Sequence, residues 1–107
     1  MKKVLNGAFA LVALLPLSLW AGDCSFDKVS AIQAQKSNVL VFVSKEGTGV
    51  YWKNIGSYDE KHLDHYQSLA QQSLATGAGV VLRFPEGYDC YTTDYATVPT
   101  MLRLKSS

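Results

Sequence analysis

Apolar and polar residues alternate along much of the chain with a period of two, which is the pattern of β-strands. Five segments are predicted as strands: residues 28–36, 38–45, 50–55, 80–84 and 100–105. The second is the strongest, because residues 39–43 form an unbroken apolar run typical of a central strand covered on both faces. In the third, Tyr51 and Trp52 point to opposite faces, and Trp52 is predicted to have a core role rather than a ligand role.

One segment, residues 58–76, has apolar side chains at helical spacing instead. The buried stripe is predicted to consist of Leu63, Tyr66, Ala70 and Leu74. Ser57 and Glu60 fit a capping box, in which each side chain satisfies a free backbone N–H group of the other. Gly77 supplies the left-handed residue that ends a helix.

The order of elements is therefore three strands, a helix and two strands. This predicts a mainly β fold with one α-helix, and it is the β-β-β-α-β-β order of the OB-fold, a small five-stranded barrel. Closing the barrel would leave no exposed strand edges. The alternative is an open α+β sheet. In either, the fourth strand is expected to turn Val80, Leu82 and Phe84 towards the core.

The N-terminal segment has the pattern of an export signal. Lys2 and Lys3 are followed by an apolar run over residues 8–19, and Ala21 is a small residue at a plausible cleavage point. The run is too short to span a bilayer, so no stable membrane insertion is expected. We predict a signal peptide at residues 1–21 and a single domain at 22–107, located in the periplasm or secreted.

Charge and cysteine content fit that location. The chain has 10 basic and 9 acidic residues, and the leader holds two of the bases, so the remaining domain is close to neutral. A neutral domain lacks the basic surface of a nucleic-acid-binding protein. Cys24 and Cys90 are an even pair in an oxidising compartment, which predicts a disulfide. Lipid attachment to Cys24 is the less favoured alternative, because Asp23 stands where a small residue is normally needed.

Candidate chemistry is confined to two places. Residues 88–95 are rich in tyrosine, whose ring has an apolar face and a polar tip suited to sugars or protein surfaces. The candidate ligand-binding residues are Tyr88, Tyr91, Thr92, Asp94 and Tyr95. The alternative is a polar loop stiffened by Cys90, with one or two tyrosines folded onto the barrel.

The second place is the start of the helix. His62 and His65 lie near Glu60 and Asp64, residue types that can hold a divalent metal. A solvated helix face explains them more simply, so we expect no metal and no cofactor. No nucleophile–base pair is visible, and the domain is not expected to be an enzyme.

The exit from the helix carries a resemblance to a known family. Residues 68–77 end in Ala-Thr-Gly and lead into the apolar strand at 80–84. This region resembles the B subunits of pentamer-forming bacterial toxins, of the pertussis and subtilase-cytotoxin kind and more distantly of cholera toxin. The resemblance implies an OB-fold that assembles into a homo-oligomeric ring and binds host glycans. Asp27 stands where the sialic-acid-binding members have a serine, so the sugar specificity is not implied.

Two functions are consistent with these features. The first is an exported, non-enzymatic domain that binds a glycan or receptor, similar to the toxin B subunits. The second is a small periplasmic interaction protein, such as an enzyme inhibitor or an immunity factor. Ring assembly and glycan binding distinguish the first from the second.

Overall fold

The computed structural model describes residues 22–106. The predicted signal peptide lies outside the described residues. Within 22–106 no helix is long and apolar enough to cross a membrane.

The described residues form six strands and one α-helix, which confirms the mainly β class. In chain order they are β1 Asp23–Phe26, β2 Lys28–Ala34, β3 Asn38–Lys45, β4 Gly49–Ser57, α1 Leu63–Thr76, β5 Val80–Arg83 and β6 Met101–Leu104. The strands build two antiparallel three-stranded sheets, in the orders β1-β5-β6 and β2-β3-β4. Residues 22–106 thus contain six strands where five were predicted, and their two sheets do not close into a barrel.

The extra strand, β1, is separated from β2 by Asp27 alone. The Asp27 N–H donates to the Ser44 carbonyl at 2.8 Å, so the chain crosses from one sheet to the other at this residue. With four residues and only Cys24 and Phe26 as apolar positions, β1 is too short to show a periodic signal. It is recognised only by its pairing, in which Cys24 lies opposite Leu82 of β5.

The core lies between the sheets and beneath the helix. Val39, Val41 and Val43 are buried, and β3 is the central strand of its sheet, as predicted. The fourth predicted strand also behaves as expected: its three inward residues, Val80, Leu82 and Phe84, are all buried. The prediction for Trp52 is wrong. Tyr51 packs on the core, whereas Trp52 lies half-buried on the opposite face of the sheet, stacked on Phe42.

The helix begins at Leu63, five residues later than predicted. Ser57 and Glu60 do interact, but as a turn that precedes the helix: the Ser57 N–H donates to the Glu60 carboxylate at 2.7 Å. The residue at the N-cap is His62, and its side chain makes no capping hydrogen bond. The end of the helix is as predicted, because Gly77 has φ 80° and its N–H donates to the Ser73 carbonyl.

The prediction of the buried stripe of the helix is wrong at its last position. Leu74 is 47% exposed, and Ser73 is fully buried in its place. The Ser73 hydroxyl donates to the Ala78 carbonyl and accepts the Val29 N–H at 2.9 Å. The register of β2 against β3 shifts just after Val29. This serine therefore ties the helix to the irregular part of β2, and the helix turns Ser73 rather than Leu74 towards the sheet.

Replacing Ser73 tests this contact. Ser73→Ala leaves the Val29 N–H and the Ala78 carbonyl buried without this partner, and we expect a loss of about 1–3 kcal/mol in the free energy of unfolding. Ser68→Ala is the matched control, because Ser68 is an exposed serine of the same helix. Urea unfolding of both variants measures the difference. Equal stabilities would contradict the assigned role of Ser73.

Candidate functional site

The tyrosine loop, defined as residues 88–95, lies along β4. The Asp94 N–H donates to the Trp52 carbonyl at 3.0 Å, and the Trp52 N–H donates to the Thr93 hydroxyl at 3.1 Å. Lys53 and Asp94 pair as an isolated parallel bridge. The loop thus occupies an edge of β4, and its backbone is fixed there by hydrogen bonds.

A disulfide joins the loop to β1. Cys24 and Cys90 are bonded, with their Cα atoms 5.4 Å apart, which confirms the predicted pair. Cys24 is buried on β1, in the same sheet as β5. The loop is therefore attached covalently to one sheet and by hydrogen bonds to the other.

Lys53 is the buried anchor of the loop, with none of its surface exposed. The period of two along β4 places it on the same face as Tyr51 and Ile55, so its side chain enters the interior. Its ammonium group donates to the Tyr88 hydroxyl at 3.0 Å and to the Thr92 carbonyl at 2.7 Å. It also lies 4.7 Å from the centre of the Tyr88 ring, close enough for a cation–π contribution.

Asp94 completes this network. The Tyr88 hydroxyl donates to one carboxylate oxygen of Asp94 at 2.8 Å. The other oxygen accepts the N–H groups of Ala96 at 2.9 Å and Thr97 at 3.2 Å. Tyr88 thus connects the buried ammonium of Lys53 to a carboxylate at the loop surface.

The surroundings set the ionisation of these groups. Burial raises the pKa of Asp94, but hydrogen bonds from the Ala96 N–H and the Tyr88 hydroxyl outweigh it and bring the pKa down to about 2. Burial and the bond to Asp94 raise the pKa of Tyr88 well above its usual range. Burial lowers the pKa of Lys53, and the charges of Asp94 and Asp89 oppose this. At neutral pH the network therefore holds an ionised Asp94 and a neutral Tyr88.

A second anchor comes from Asn54, which is also buried. Its side-chain oxygen accepts the Gly56 N–H at 2.9 Å, next to a shift in the β3–β4 register. Its side-chain nitrogen donates to the Tyr95 carbonyl at 3.0 Å. The irregularity in β4 thereby fixes the far end of the loop.

The structure divides the five candidate residues into two groups. Tyr88 and Asp94 hydrogen-bond within the domain, and the contact of Thr92 with Lys53 is through its carbonyl. Tyr91 and Tyr95 are 45% and 59% exposed. Of these two, Tyr91 has aromatic neighbours in the domain, with ring centres 6.4 Å from Phe26 and 6.1 Å from Tyr51, whereas Tyr95 is more exposed.

The two anchors, Lys53 and Asn54, were not predicted from the sequence. Each is a polar residue within a strand otherwise rich in apolar side chains. The alternation along β4 gives a usable signal for Lys53, because it falls in the inward series with Tyr51 and Ile55. A lysine at such a position needs polar partners from outside its own strand.

Of the two histidines, His62 has a role within the fold. His62 donates from its Nε2 to the Ile55 carbonyl at 3.1 Å, and its ring lies 4.4 Å from that of Tyr66. His65 is exposed on the helix. No group of three metal-ligating side chains occurs in the part of the chain that the structure describes.

Comparison of the chain with protein-family models, with curated proteins and with solved structures found no match.

Proposed function

We propose that this chain is an exported, non-enzymatic binding domain that recognises a glycan or a glycan-bearing receptor through its tyrosine loop. The observation that carries the proposal is the exposure of Tyr91 and Tyr95 on a loop held at both ends and in its middle. The disulfide fits an oxidising compartment, either the periplasm or the cell exterior.

Rigidity is what makes these tyrosines suitable for binding. Ordering a mobile side chain on binding costs on the order of 0.5–1.5 kcal/mol, and ordering a loop costs more. Here the backbone at Thr92, Asp94 and Tyr95 is already hydrogen-bonded to β4. A ligand therefore meets rings on a fixed backbone, which is a favourable arrangement for a small contact area.

The architecture supports an OB-like arrangement as part of the same proposal. β1 and β2 follow each other through Asp27 and belong to different sheets, so they resemble one long strand bent at its middle. The parallel bridge between Lys53 and Asp94 brings the segment before β6 against β4. On this interpretation the barrel is OB-like but remains open between β4 and β6. The resemblance to toxin B subunits adds the proposal that the domain assembles into a homo-oligomer.

The test is a paired measurement of binding and stability. Tyr95→Ala should weaken binding to an immobilised glycan array about tenfold or more, with an unchanged melting temperature, because the ring is mostly exposed. Tyr91→Ala should weaken binding and also lower the melting temperature, because its ring contacts Phe26 and Tyr51. Leu74→Ala is the control: it removes an equally exposed apolar side chain from the helix and should change neither quantity.

Two results would contradict the proposal. Glycan binding that persists in both tyrosine variants would remove the loop from the binding site. Binding of a protein ligand by the same tyrosines, with no glycan bound, would favour an enzyme inhibitor or an immunity factor instead.

A further inference from the structure

The outer face of the sheet β2-β3-β4 carries an aromatic pair that the core does not use. Because Val41 and Val43 point into the core, Phe42 between them points the opposite way. Phe42 lies opposite Trp52 of β4, and the two rings stack with their centres 4.5 Å apart and their planes 25° apart. Both side chains are half-buried, and the neighbouring Val50 is 49% exposed.

A row of amide side chains lies beside this pair. The Gln33 amide donates to the Gln35 amide oxygen at 3.0 Å, and the Gln35 amide donates to the Asn38 amide oxygen at 3.0 Å. Gln33 pairs with Leu40, one row along the sheet from Phe42, so the amide row begins next to the rings. The chain of hydrogen bonds fixes which way each amide points.

The charge of this face narrows the choice of ligand. On the outer face, the rows that contain the aromatic pair and Gln33 are uncharged. Lys53 lies between those rows on β4 but points inward to the tyrosine loop, so the nearest charged position of this face by register is Lys28, opposite Ser44. An anionic ligand would contact a single cation, Lys28. A cationic ligand would contact no carboxylate in the rows that contain the aromatic pair and Gln33. A neutral ligand fits without burying an unpaired charge.

The combination of groups identifies the chemistry of that ligand. An aromatic face packs against the C–H surface of a sugar ring, as it does against other apolar surfaces. An amide offers one acceptor oxygen and a donor N–H₂ group, which matches the mixed donors and acceptors of neighbouring sugar hydroxyls. From β4 to β2 the sheet is about 10 Å wide, so a chain of linked sugars could contact both features.

We propose that the outer face of β2-β3-β4 binds a neutral oligosaccharide, with the Phe42–Trp52 pair under a sugar ring and the Gln33–Gln35–Asn38 row on its hydroxyls. This inference rests on the proposed glycan-binding function and adds to it a second contact surface and a ligand class. It is separate from the tyrosine loop in its residues, so the two can fail independently.

Tryptophan fluorescence reports on this face directly. The chain has two tryptophans, Trp20 and Trp52. In a Trp20→Phe background, Trp52 is the sole source of tryptophan emission, whether or not the cell removes the leader. Titration with short chitin, cellulose and galactan oligosaccharides should shift that emission to shorter wavelength and saturate for at least one of them, because the bound sugar excludes water from the indole.

The amide row is tested by a matched pair of glutamine variants. Gln35→Ala should weaken binding of the saccharide that shifts the Trp52 emission. The expected loss of affinity is about tenfold, because the change removes two ordered hydrogen-bonding groups. Gln71→Ala, an exposed glutamine of the helix, should leave binding unchanged. Both variants should melt at the temperature of the parent protein, because both side chains are exposed.

The outcomes distinguish this inference from the proposed function. Suppose that Tyr95→Ala abolishes glycan binding, while the glycan does not shift the Trp52 emission and Gln35→Ala has no effect. This result overturns the inference and leaves the tyrosine loop as the binding site. Absence of binding to every saccharide overturns both. An emission shift that follows protein concentration without sugar, together with a dimer in light scattering, means that a second copy covers the face and also overturns it.

Discussion

Replacing both cysteines, Cys24→Ala together with Cys90→Ala, is expected to lower the free energy of unfolding by about 4 kcal/mol. The bond links residues 66 positions apart, so its loss restores a large conformational freedom to the unfolded chain. It also releases the tyrosine loop from β1. For a domain of this size the loss is a large share of the total stability.

Chemical denaturation with and without reductant measures this effect. The double variant should unfold at the same denaturant concentration with and without reductant. The parent protein should unfold at about that concentration in reductant and at a higher one without it. Identical unfolding of the parent protein in both conditions, after thiol labelling has shown complete reduction, would contradict the expected contribution.

Lys53→Ala is the second change with a large expected effect, a loss of about 3 kcal/mol in the free energy of unfolding. It removes a fully buried stem, which leaves a cavity, and it removes the donor to the Tyr88 hydroxyl and the Thr92 carbonyl. Lys53→Met should lose less, about 1–2 kcal/mol, because methionine fills the space and carries no charge to bury, and only the hydrogen bonds and the cation–π contact with Tyr88 are lost.

Urea unfolding of the two variants separates the packing of Lys53 from its polar contacts. Lys36→Ala is the control, an exposed lysine in the turn before β3, and it should change the stability by less than about 0.5 kcal/mol. Equal losses for Lys53→Ala and Lys36→Ala would mean that the buried ammonium does not hold the loop. Limited proteolysis adds a second readout, because Lys53→Ala should expose the tyrosine loop to cleavage.

The sequence predicted the parts of the fold that depend on local pattern. The apolar run of β3 and the stop at Gly77 lie where the pattern placed them, because a buried central strand and a left-handed cap each select distinct residue types. The expected cover on both faces of β3 is wrong at Phe42, which is half-buried on the outer face of the sheet. The helix start was placed too early. Ser57 and Glu60 make one of the two hydrogen bonds of a capping box, in a turn that precedes the helix. Such a turn has the same sequence pattern whether or not a helix begins directly after it.

Features that depend on distant partners were not predictable in the same way. Ser73 is buried because the Val29 N–H needs an acceptor, and no pattern within the helix shows that need. Lys53 is buried because Tyr88 and Thr92, more than 30 residues later, supply its polar contacts. The sequence placed residues 88–95 in the loop before the last strand, where the structure has them, but their division into internal and exposed residues depends on those same contacts.

The crossing of the chain at Asp27 has a consequence for the order in which the two sheets can form. Sheet β2-β3-β4 joins strands that are neighbours in the sequence, so it needs no residue beyond Ser57. Sheet β1-β5-β6 pairs β1 with β5, on the far side of the helix, and is complete only with Met101–Leu104. Until β5 is in place, the apolar residues Cys24 and Phe26 of β1 have no strand to pair with. Contacts between such distant segments form slowly, so the second sheet should set the folding rate of the whole domain.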